Sequence, residues 1–375
     1  MLSADTDIPA GNGIITAVEG DRIHLHPDNR DSTRDWFYWH IRVRGCAGRR
    51  ITLVFDRPCT MTVRGAAVSR DRGKTWAWVP EFTPYALELS YACGDADELR
   101  FALAMPYTLA NLQEWLGRHA GSPRLRQHEL CVSRLGRSVP WLETGCAPGG
   151  ETAQVLLTAR HHCCEMMANF VLEGVLDASL ADEQVSGGLR FIAVPLVDLD
   201  GVEAGDQGKA RHPHDHNRDY GQSPLYPETA AVMSLVQRHT DSRLRAALDL
   251  HCPFVVGDDC NHHIYIVGSE DPVNWRRQQA LAGILEENVQ GPLPYDAGDT
   301  LPFGKKWNTG ANYGAGTTCA RWVFQERRET AVAATLEIPY ATAKGVPVTP
   351  DSARAFGHDL FMALREWAQR REAVD

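Results

Sequence analysis

The stretch 153–165, AQVLLTARHHCCE, decides the fold of this chain. An apolar strand runs into a turn of polar residues, and a helical segment, EMMANFVLEGVLDASL, follows at once. The same alternation continues with the apolar strands RFIAVPLVD, RAALDLHC and HHIYIVG and with the helical segments YPETAAVMSLVQRHT and DPVNWRRQQALAGILEENV. Apolar strands that alternate with helices predict an α/β sheet that is covered by helices on both faces.

The residues before this region show a different pattern. Segments such as WFYWHIRVRG (36–45) and TMTVRG (60–65) are short, rich in β-branched and aromatic residues, and separated by Gly, Asp and Pro. This pattern predicts an antiparallel β-sandwich over residues 1–107, with the aromatic run Trp36–Trp39 in its core and not in a ligand platform. The helical spacing in YTLANLQEWLGRHAG predicts a bridge into a second domain, residues 108–375.

Composition and charge narrow the function classes. The chain has 375 residues with 38 basic and 48 acidic side chains and no long Lys/Arg run, so a nucleic-acid partner is not expected. It has neither a signal-like N-terminus nor a membrane-length apolar stretch, so we expect a cytoplasmic protein without a membrane partner. Ten irregularly spaced cysteines without a C-x-x-C are expected to be reduced thiols.

Two histidines and a glutamate lie where apolar strands end. His162 and Glu165 follow the strand AQVLLTA, and His251 follows the strand ALDL. Because sites in α/β sheets collect at the carboxyl ends of strands, these three side chains are expected to meet. Two neutral imidazoles and a carboxylate suit a Zn²⁺ ion with an open fourth position. Each fragment alone would more often be structural, and only their combination indicates a metal site.

Two further motifs indicate binding and catalysis. Asn217 and Arg218, in a Gly/Pro/Asp-rich loop, offer an amide and a guanidinium that suit a carboxylate. The alternative is a loop held by its own Arg–Asp pairs. Glu337 is the one charged residue of the apolar strand AVAATLEIPYA. A carboxylate buried in a strand is costly and indicates a catalytic or metal-linked role, the alternative being an ion pair with an arginine.

The order of these motifs resembles that of a known family. An H-x-x-E motif is followed by D-G-V and N-R, then by D-L-H and T-L-E, and this order resembles the M14 zinc carboxypeptidases, specifically their cytosolic carboxypeptidase branch. The phrases DWFYWHIRVRG and AMPYTLANLQEWL resemble that branch's N-terminal β-sandwich. The resemblance covers nearly the whole chain. It implies an antiparallel β-sandwich followed by a zinc-carboxypeptidase-like mixed sheet with helices on both faces.

The resemblance also implies a role for each candidate residue. It implies one zinc ion per chain held by His162, Glu165 and His251, a substrate carboxylate bound by Asn217 and Arg218, and a general base in Glu337. Arg321 falls where the branch places an arginine that favours acidic side chains. We expect Arg321 to be a strand residue that points into the specificity pocket, the alternative being an ion pair with Glu326 or Glu329.

The chain departs from the family pattern at two positions that bear on catalysis. An arginine that polarises the scissile carbonyl is expected well before the Asn-Arg pair, but Gly208 lies nine residues ahead of Asn217. Lys209 and Arg211 flank this glycine, and either cation could act. The family's tyrosine would align with Gln325, so its contribution is missing or comes from Tyr313.

The implied function is a zinc metallocarboxypeptidase that acts on the C-terminus of a peptide or protein and favours acidic residues. One alternative is a zinc amidase or desuccinylase of small N-acyl amino acids, although an N-terminal sandwich that narrows access for chain ends argues against it. Another is a non-catalytic protein that binds C-termini, although such a protein has no need of a buried base. The sequence predicts neither the physiological substrate nor the oligomeric state.

Overall fold

Two small β-sheets occupy the N-terminal part of the protein. The computed structural model describes residues 1–58, 60–145, 152–181, 189–257, 259–329 and 331–370. Its first strands are β1 (Ser3–Asp5), β2 (Ile14–Glu19), β3 (Arg22–His26), β4 (His40–Arg44), β5 (Arg50–Phe55), β6 (Ala67–Ser69), β7 (Ala77–Trp78), β8 (Glu88–Ala92) and β9 (Glu98–Ala102). One sheet has the strand order β1-β4-β9-β6-β7, and the other has the order β2-β3-β5-β8.

The two sheets share an apolar core. In β5 the buried residues Ile51, Leu53 and Phe55 alternate with more exposed ones, as expected for a strand with one face on a core. Tyr91 of β8 lies against Phe101 of β9, with ring centroids 5.4 Å apart. The pairs are antiparallel except that β3 runs parallel to β5. The predicted antiparallel sheets are confirmed, and the domain boundary after residue 107 stays a prediction.

One strand expected in the N-terminal part does not form, so its prediction is wrong. Residues 60–65, TMTVRG, form a tight turn in which Thr62 and Gly65 exchange backbone hydrogen bonds. Gly65 has a φ of 75°, and a Cβ there would lie 2.8 Å from the ring of Phe82. The turn therefore needs glycine, and the short β-branched run cannot continue as a strand.

A seven-stranded mixed sheet forms the second half of the protein. The strands are β10 (Arg126–Val132), β11 (Ser138–Gly145), β12 (Ala153–Ala159), β13 (Leu189–Val194), β14 (Leu244–His251), β15 (Tyr265–Val267) and β16 (Val332–Glu337), and a separate hairpin pairs β17 (Thr342–Ala343) with β18 (Val346–Pro347). The strand order of the large sheet is β10-β11-β13-β12-β14-β16-β15, and β13, β12, β14 and β16 are parallel neighbours. The parallel strands place their carboxyl ends at one edge of the sheet.

Helices cover both faces of this sheet, as the sequence predicts. The helices are α1 (Leu109–Arg118), α2 (Met167–Ala181), α3 (Leu199–Ala204), α4 (Pro227–His239), α5 (Pro272–Asn288), α6 (Cys319–Glu326) and α7 (Pro350–Gln369). Alternate residues of β12 separate the two cores, because Leu156 packs with the apolar residues of α4 and α6, whereas Val155 and Leu157 pack with those of α2, α5 and α7. None of the helices in the described ranges is long and apolar enough to cross a membrane.

Helices α2 and α7 approach each other closely because each carries a glycine at the crossing. A Cβ on Gly174 would lie 2.0 Å from the carbonyl oxygen of Arg354, and a Cβ on Gly357 would lie 2.1 Å from that of Val171. Helix α2 is buried on nearly every side, as expected for a helix between a sheet and a second helix. This packing holds α2, and the turn ahead of it, on the edge of the sheet.

Buried hydrogen bonds join the N-terminal sheets to the loop that follows α3. The carboxylate of Asp31 accepts hydrogen bonds from the backbone N–H groups of Gln207 and Gly208, at 3.0 and 2.8 Å. The side-chain oxygen of Gln207 accepts a bond from the backbone of Tyr38 at 2.9 Å. Buried polar groups that are paired in this way resist displacement. The N-terminal part therefore fixes the path of residues 205–212, which run past the carboxyl ends of the strands.

Candidate metal centre and active site

Three donor side chains converge at the carboxyl ends of β12 and β14. His162 and Glu165 lie in the turn before α2, and His251 is the last residue of β14. Nδ1 of His162 lies 3.0 Å from Oε1 of Glu165 and 3.2 Å from Nδ1 of His251. Nδ1 of His251 lies 2.6 Å from Oε2 of Glu165. All three residues are candidates to hold one metal ion together.

The turn that carries His162 is held by Arg160. This residue has a φ of 66°, which turns the chain out of β12. Its buried guanidinium donates hydrogen bonds to the carbonyl oxygens of Cys163 and Tyr107, both at 2.9 Å, and to Oδ1 of Asn169 at 2.8 Å. A buried charge needs such partners. Arg160 thereby connects the turn to α2 and to the segment ahead of α1.

Two carboxylates engage the outer nitrogens of the two histidines. Nε2 of His251 lies 2.7 Å from Oδ2 of Asp249, and Nε2 of His162 lies 3.3 Å from Oδ1 of Asp215. Burial acts to raise the pKa of both aspartates, but the histidines beside them outweigh it and hold each pKa below its usual value. Carboxylate–histidine pairs of this kind orient an imidazole toward a metal ion.

Sequence reasoning missed both aspartates. Asp249 precedes His251 by two positions on a strand, and alternate strand residues share a face, so the D-L-H motif carried a usable signal. Asp215 precedes Asn217 by two positions and caps a short 3₁₀ helix. Its contact with His162 depends on how the loop folds back, and no local pattern shows that.

A second set of donors, His161, Asp249 and His251, also lies within metal-binding distance. Here Asp249 is shared between two imidazoles, because its Oδ1 lies 2.8 Å from Nδ1 of His161. Nε2 of His161 lies 2.6 Å from the hydroxyl of Tyr220. Both nitrogens of His161 thus have partners in a buried network. The set of His162, Glu165 and His251 fits a metal ion better than this second set. The Nδ1 atoms of both histidines face the carboxylate of Glu165, while their Nε2 atoms are held by two aspartates.

Glu337 lies beside these donors at the end of β16, where it pairs with His251 in the parallel register. It is 7% exposed, and its Oε2 has no hydrogen-bond partner among the described residues. Burial and, after it, repulsion by Glu165 raise the pKa of this carboxyl to about 7. No described arginine forms an ion pair with it. An unpartnered buried carboxyl is expensive for the fold, and such groups concentrate at functional sites.

The structure gives different partners to Lys209 and Arg211, the two cations that follow Gly208. Nζ of Lys209 lies 2.5 Å from Oε1 of Glu165 and donates a hydrogen bond to the carbonyl oxygen of Cys252 at 3.1 Å. Burial acts to lower the pKa of Lys209, but Glu165 outweighs it and the pKa is raised. Arg211 instead forms ion pairs with Asp198, the N-cap residue of α3, and with Asp206 in the loop after that helix. Lys209 is therefore the cation that the fold brings to the donor set.

Asn217 is buried next to the donor set. It lies on the 3₁₀ helix His216–Arg218, which Asp215 caps by accepting a hydrogen bond from the N–H of Asn217 at 2.7 Å. Its Nδ2 lies 3.0 Å from Nε2 of His251. Its Oδ1 accepts a bond from the backbone of Cys319 at 2.9 Å. These contacts connect Asn217 to both the metal-donor strand and the start of α6.

Arg218 is partly exposed and lies near Tyr313. Its Nη1 donates to the carbonyl oxygen of Asn217 at 2.7 Å, and its Nε donates to that of Asn312 at 3.3 Å. Its guanidinium lies 5.5 Å from the centroid of the Tyr313 ring. Within the described part of the chain it forms no ion pair with a carboxylate. The guanidinium is consequently available to an external anion.

Arg321 lies on helix α6, so its prediction as a strand residue is wrong. Thr318 caps this helix by accepting a hydrogen bond from the N–H of Arg321 at 3.3 Å. Trp322 and Val323 are buried in the core beneath the sheet, whereas Arg321 is only partly buried. The apolar run WVF is compatible with a strand or with the buried side of a short helix, and the cap decides for the helix.

The partners of Arg321 also differ from those considered in the sequence. Its guanidinium lies 3.8 Å from the ring centroid of Tyr313 and pairs with Oε1 of Glu270 at 3.2 Å. Within the described part of the chain, neither Glu326 nor Glu329 forms an ion pair with it. Tyr313 thus lies between Arg218 and Arg321, and Glu270 reaches Arg321 from the segment ahead of α5.

A cavity of about 390 Å³ lies beside these residues. Thr335, one of the residues that line it, precedes Glu337 by two positions on β16, so the cavity reaches the strand that carries this carboxyl. The wall thus offers two cations, Arg321 paired with Glu270 and Arg328 paired with Asp271, together with several hydroxyl groups. Its lining includes Glu270, Tyr313, Thr317, Thr318, Arg321 and Gln325.

Comparison with known proteins gives relatives of one kind. No family model matches the chain. It is 23% identical over 249 residues to cytosolic carboxypeptidase 6 of Caenorhabditis elegans and 28% identical over 189 residues to cytosolic carboxypeptidase 2 of Xenopus tropicalis. The chain is thus similar in sequence to cytosolic carboxypeptidases. The two matches cover 59% and 46% of this chain, which spans about half or less of the length of these relatives, 54% and 19%.

Solved structures with the same fold cover nearly the whole chain. A metallo-carboxypeptidase from Burkholderia cenocepacia superposes with a TM-score of 0.80 over 98% of this chain and 99% of its own, at 19% identity. A metallo-carboxypeptidase from Pseudomonas aeruginosa, solved in complex with (2-guanidinoethylmercapto)succinic acid, gives a TM-score of 0.75 at 18% identity, over 98% of this chain and all of its own. The chain therefore shares their fold from the N-terminal sheets to α7.

Proposed function

We propose that this protein is a zinc-dependent metallocarboxypeptidase that hydrolyses the C-terminal peptide bond of peptides or proteins. The observation that carries the proposal is the position of Glu337, a buried carboxyl without a partner, beside three converging metal-donor side chains. The names of the relatives and of the structural neighbours support both the activity and a cytosolic location.

Zinc is the ion that suits the donor set. His162, Glu165 and His251 would hold it, because two imidazole nitrogens and one carboxylate are a ligand set of catalytic zinc. When bound, zinc supplies Lewis acidity at the scissile carbonyl and lowers the pKa of water. Asp215 and Asp249 keep the two imidazoles turned toward the ion through their outer nitrogens.

Glu337 is the general base. Its free Oε2 takes a proton from the attacking water, and the same carboxyl then delivers the proton to the nitrogen of the leaving amino acid. Because burial raises its pKa toward neutrality, it accepts a proton more readily than a surface glutamate does. Its backbone is fixed by pairing with β14, so the carboxyl needs little rearrangement before it reacts.

Lys209 stabilises the negative charge that develops on the carbonyl oxygen. Its side chain is 13% exposed and its ammonium group lies against the buried Glu165, where a positive charge has a stronger effect than it has in water. Arg211 is held by two aspartates and keeps the loop in shape. In this proposal the lysine takes the role that the sequence leaves open between the two cations.

Arg218 and Asn217 bind the terminal carboxylate of the substrate. A guanidinium without a carboxylate partner and a buried amide can hold both oxygens of that group. Tyr313 lies against both arginines and covers this end of the site. Since the clamp holds a free carboxylate, only the last peptide bond lies next to Glu337.

Arg321 favours an acidic C-terminal side chain. It lies on the wall of the cavity next to Tyr313, and a substrate carboxylate can replace Glu270 as its partner. Glu270 is more than half exposed, so its pair with Arg321 is weak and open to competition. A bidentate pair with a substrate carboxylate inside the cavity would be stronger.

The clamp supplies the test of the proposal. Peptides that differ only in a free or amidated C-terminus are incubated with the zinc-loaded protein, and released amino acids are measured by mass spectrometry. Amidated peptides should react at least about 30-fold more slowly, because Arg218 then has no anionic partner. The Arg218→Ala variant should lose this discrimination, whereas Arg238→Ala, on the exposed side of α4, should keep it. Equal cleavage of both peptides would indicate an amidase or endopeptidase and contradict the proposal.

A further inference from the structure

Three aromatic rings from distant parts of the chain meet beside the donor set. Trp36 and Phe37 come from the segment ahead of β4, and Phe254 comes from the loop after β14. The ring centroid of Phe254 lies 5.8 Å from that of Trp36 and 5.0 Å from that of Phe37. Phe37 is buried, with Tyr340 against it at 5.5 Å. Phe254 is 37% exposed and Trp36 is half-buried.

This cluster adjoins the reacting groups. Phe254 follows His251, the last residue of β14, by three residues. Nζ of Lys209 lies 5.5 Å from the ring of Trp36 and 2.5 Å from Oε1 of Glu165, so this lysine connects the rings to the donor set. Of the aromatic run expected in the sandwich core, Phe37, Tyr38 and Trp39 are buried there. Trp36 packs against this core but is only partly buried.

The rings lie near Lys209. The carboxylate clamp, Asn217 and Arg218, is held by different segments of the chain. Asn217 and Arg218 contact residues 312–319, and Lys209 contacts Trp36 and the loop after β14. A peptide whose terminal carboxylate lies at Arg218 and whose last bond lies at Glu337 must extend away from the clamp. Its preceding residue then comes next to the exposed aromatic faces.

We infer that Trp36 and Phe254 form a subsite for the side chain that precedes the scissile bond, and that this subsite takes an aromatic or large apolar side chain. The inference rests on the proposed carboxypeptidase function. Phe37 and Tyr340 already provide the buried packing between the segments, so packing alone does not require Phe254 to expose its ring. Exposed aromatic faces next to a site gain stability when a ligand covers them.

The test compares substrates that differ only in the residue before the last. Two peptides with the same C-terminal residue carry Phe or Gly at the preceding position, and kcat/KM is measured for both. Trp36→Ala and Phe254→Ala should each lower the Phe/Gly ratio about 10-fold, which is the loss of an aromatic contact and of its buried area. Phe254 is partly exposed, so its variant tests the inference even if Trp36→Ala folds poorly.

The matched control is Trp76→Ala. Trp76 is also half-buried in the N-terminal sheets, but its Nε1 donates to the carbonyl oxygen of Gly73 and its ring lies against His40. This variant should leave the Phe/Gly ratio unchanged. Calorimetry of the same peptides with the Glu337→Gln protein measures binding without turnover, and the Phe peptide should bind about 10-fold more tightly than the Gly peptide.

The outcomes separate this inference from the proposed function. Hydrolysis with a Phe/Gly ratio that neither variant changes overturns the subsite and leaves the carboxypeptidase proposal intact. Binding that depends on Trp36 and Phe254 without any hydrolysis supports the subsite and overturns the proposed function. If neither peptide binds or reacts, both are wrong.

Discussion

The candidate site has two walls that are built in different ways. The wall of metal donors and base lies at the ends of adjacent parallel strands, where the register pairs His251 with Glu337. The wall of the clamp and cavity lies on a one-turn helix, a loop and the short helix α6. The buried Asp249 and the largely buried Asp215 engage the histidines of the first wall. Aromatic stacking and a partly exposed ion pair hold Arg321 in the second.

This difference teaches how the two tasks are separated. The metal donors and the base lie on strand ends and on the turn directly after β12, where sheet hydrogen bonds and buried side-chain contacts leave little freedom. Side chains that select a substrate are placed on loops and a helix end, where they can exchange partners. We therefore expect changes in the first wall to abolish chemistry and changes in the second to alter selectivity.

The largest effect is expected at the metal donors. His251→Ala should lose nearly all of the about one zinc per chain, because three protein ligands are needed for a stable site. Asp249→Asn removes only the support of that imidazole and should weaken zinc binding about 10- to 100-fold. Both are measured as metal content after dialysis against graded zinc buffers. The control is His263→Ala, which has its own carboxylate partner, Asp299, and should retain zinc. Full zinc in His251→Ala would exclude the site.

The next effect concerns the base. Glu337→Gln should bind zinc and fold normally but lose at least about 100-fold in kcat, the lower range of general-base catalysis. A matched control is Glu228→Gln. Glu228 is likewise buried, has an Oε2 without a partner among the described residues, and has a pKa raised to about 7 by burial, but it lies at the start of α4. Its variant should turn over normally. Normal turnover of Glu337→Gln would make this carboxyl a structural group.

A smaller effect is expected for Arg321 in the second wall. Arg321→Ala should lower the ratio of kcat/KM for peptides ending in Glu to that for peptides ending in Leu, by about 30- to 150-fold. Zinc content should not change, since Arg321 contacts no metal donor. A ratio that stays the same in the variant would leave Arg321 structural and would remove the proposed preference for acidic residues.

The smallest effect is expected for Glu270, the ion-pair partner of Arg321 in the second wall. Glu270→Gln removes the carboxylate that competes for Arg321, and the Glu/Leu ratio should rise about 2- to 5-fold, as expected for a weak, partly exposed ion pair. Glu326→Gln changes an exposed glutamate of the same helix that does not pair with Arg321, and it should have no effect. A fall in the ratio in Glu270→Gln would mean that Glu270 positions Arg321 and does not compete for it.

Much of the fold could be predicted because its signals are local. The alternation of apolar strands and helices identified the covered sheet, and the residues after AQVLLTA and ALDL identified strand ends. Short apolar runs were less informative. WVF after Arg321 belongs to a helix because Thr318 caps it, and TMTVRG turns because Gly65 takes a positive φ. In both cases one residue at the edge of the run decides the structure, and periodicity alone does not show it.

The sequence by itself determined which residues end the parallel strands, and therefore that His162, Glu165, His251 and Glu337 lie at one edge of the sheet. Parallel strands have their carboxyl ends together, so no loop conformation is needed for that conclusion. Only the tertiary structure decided the partners that loops supply. It brought Lys209 to Glu165 while Arg211 is held by aspartates, and it placed Trp36 beside the loop after β14. Such contacts join residues far apart in the chain, and their formation depends on the path of each loop, which local patterns do not encode.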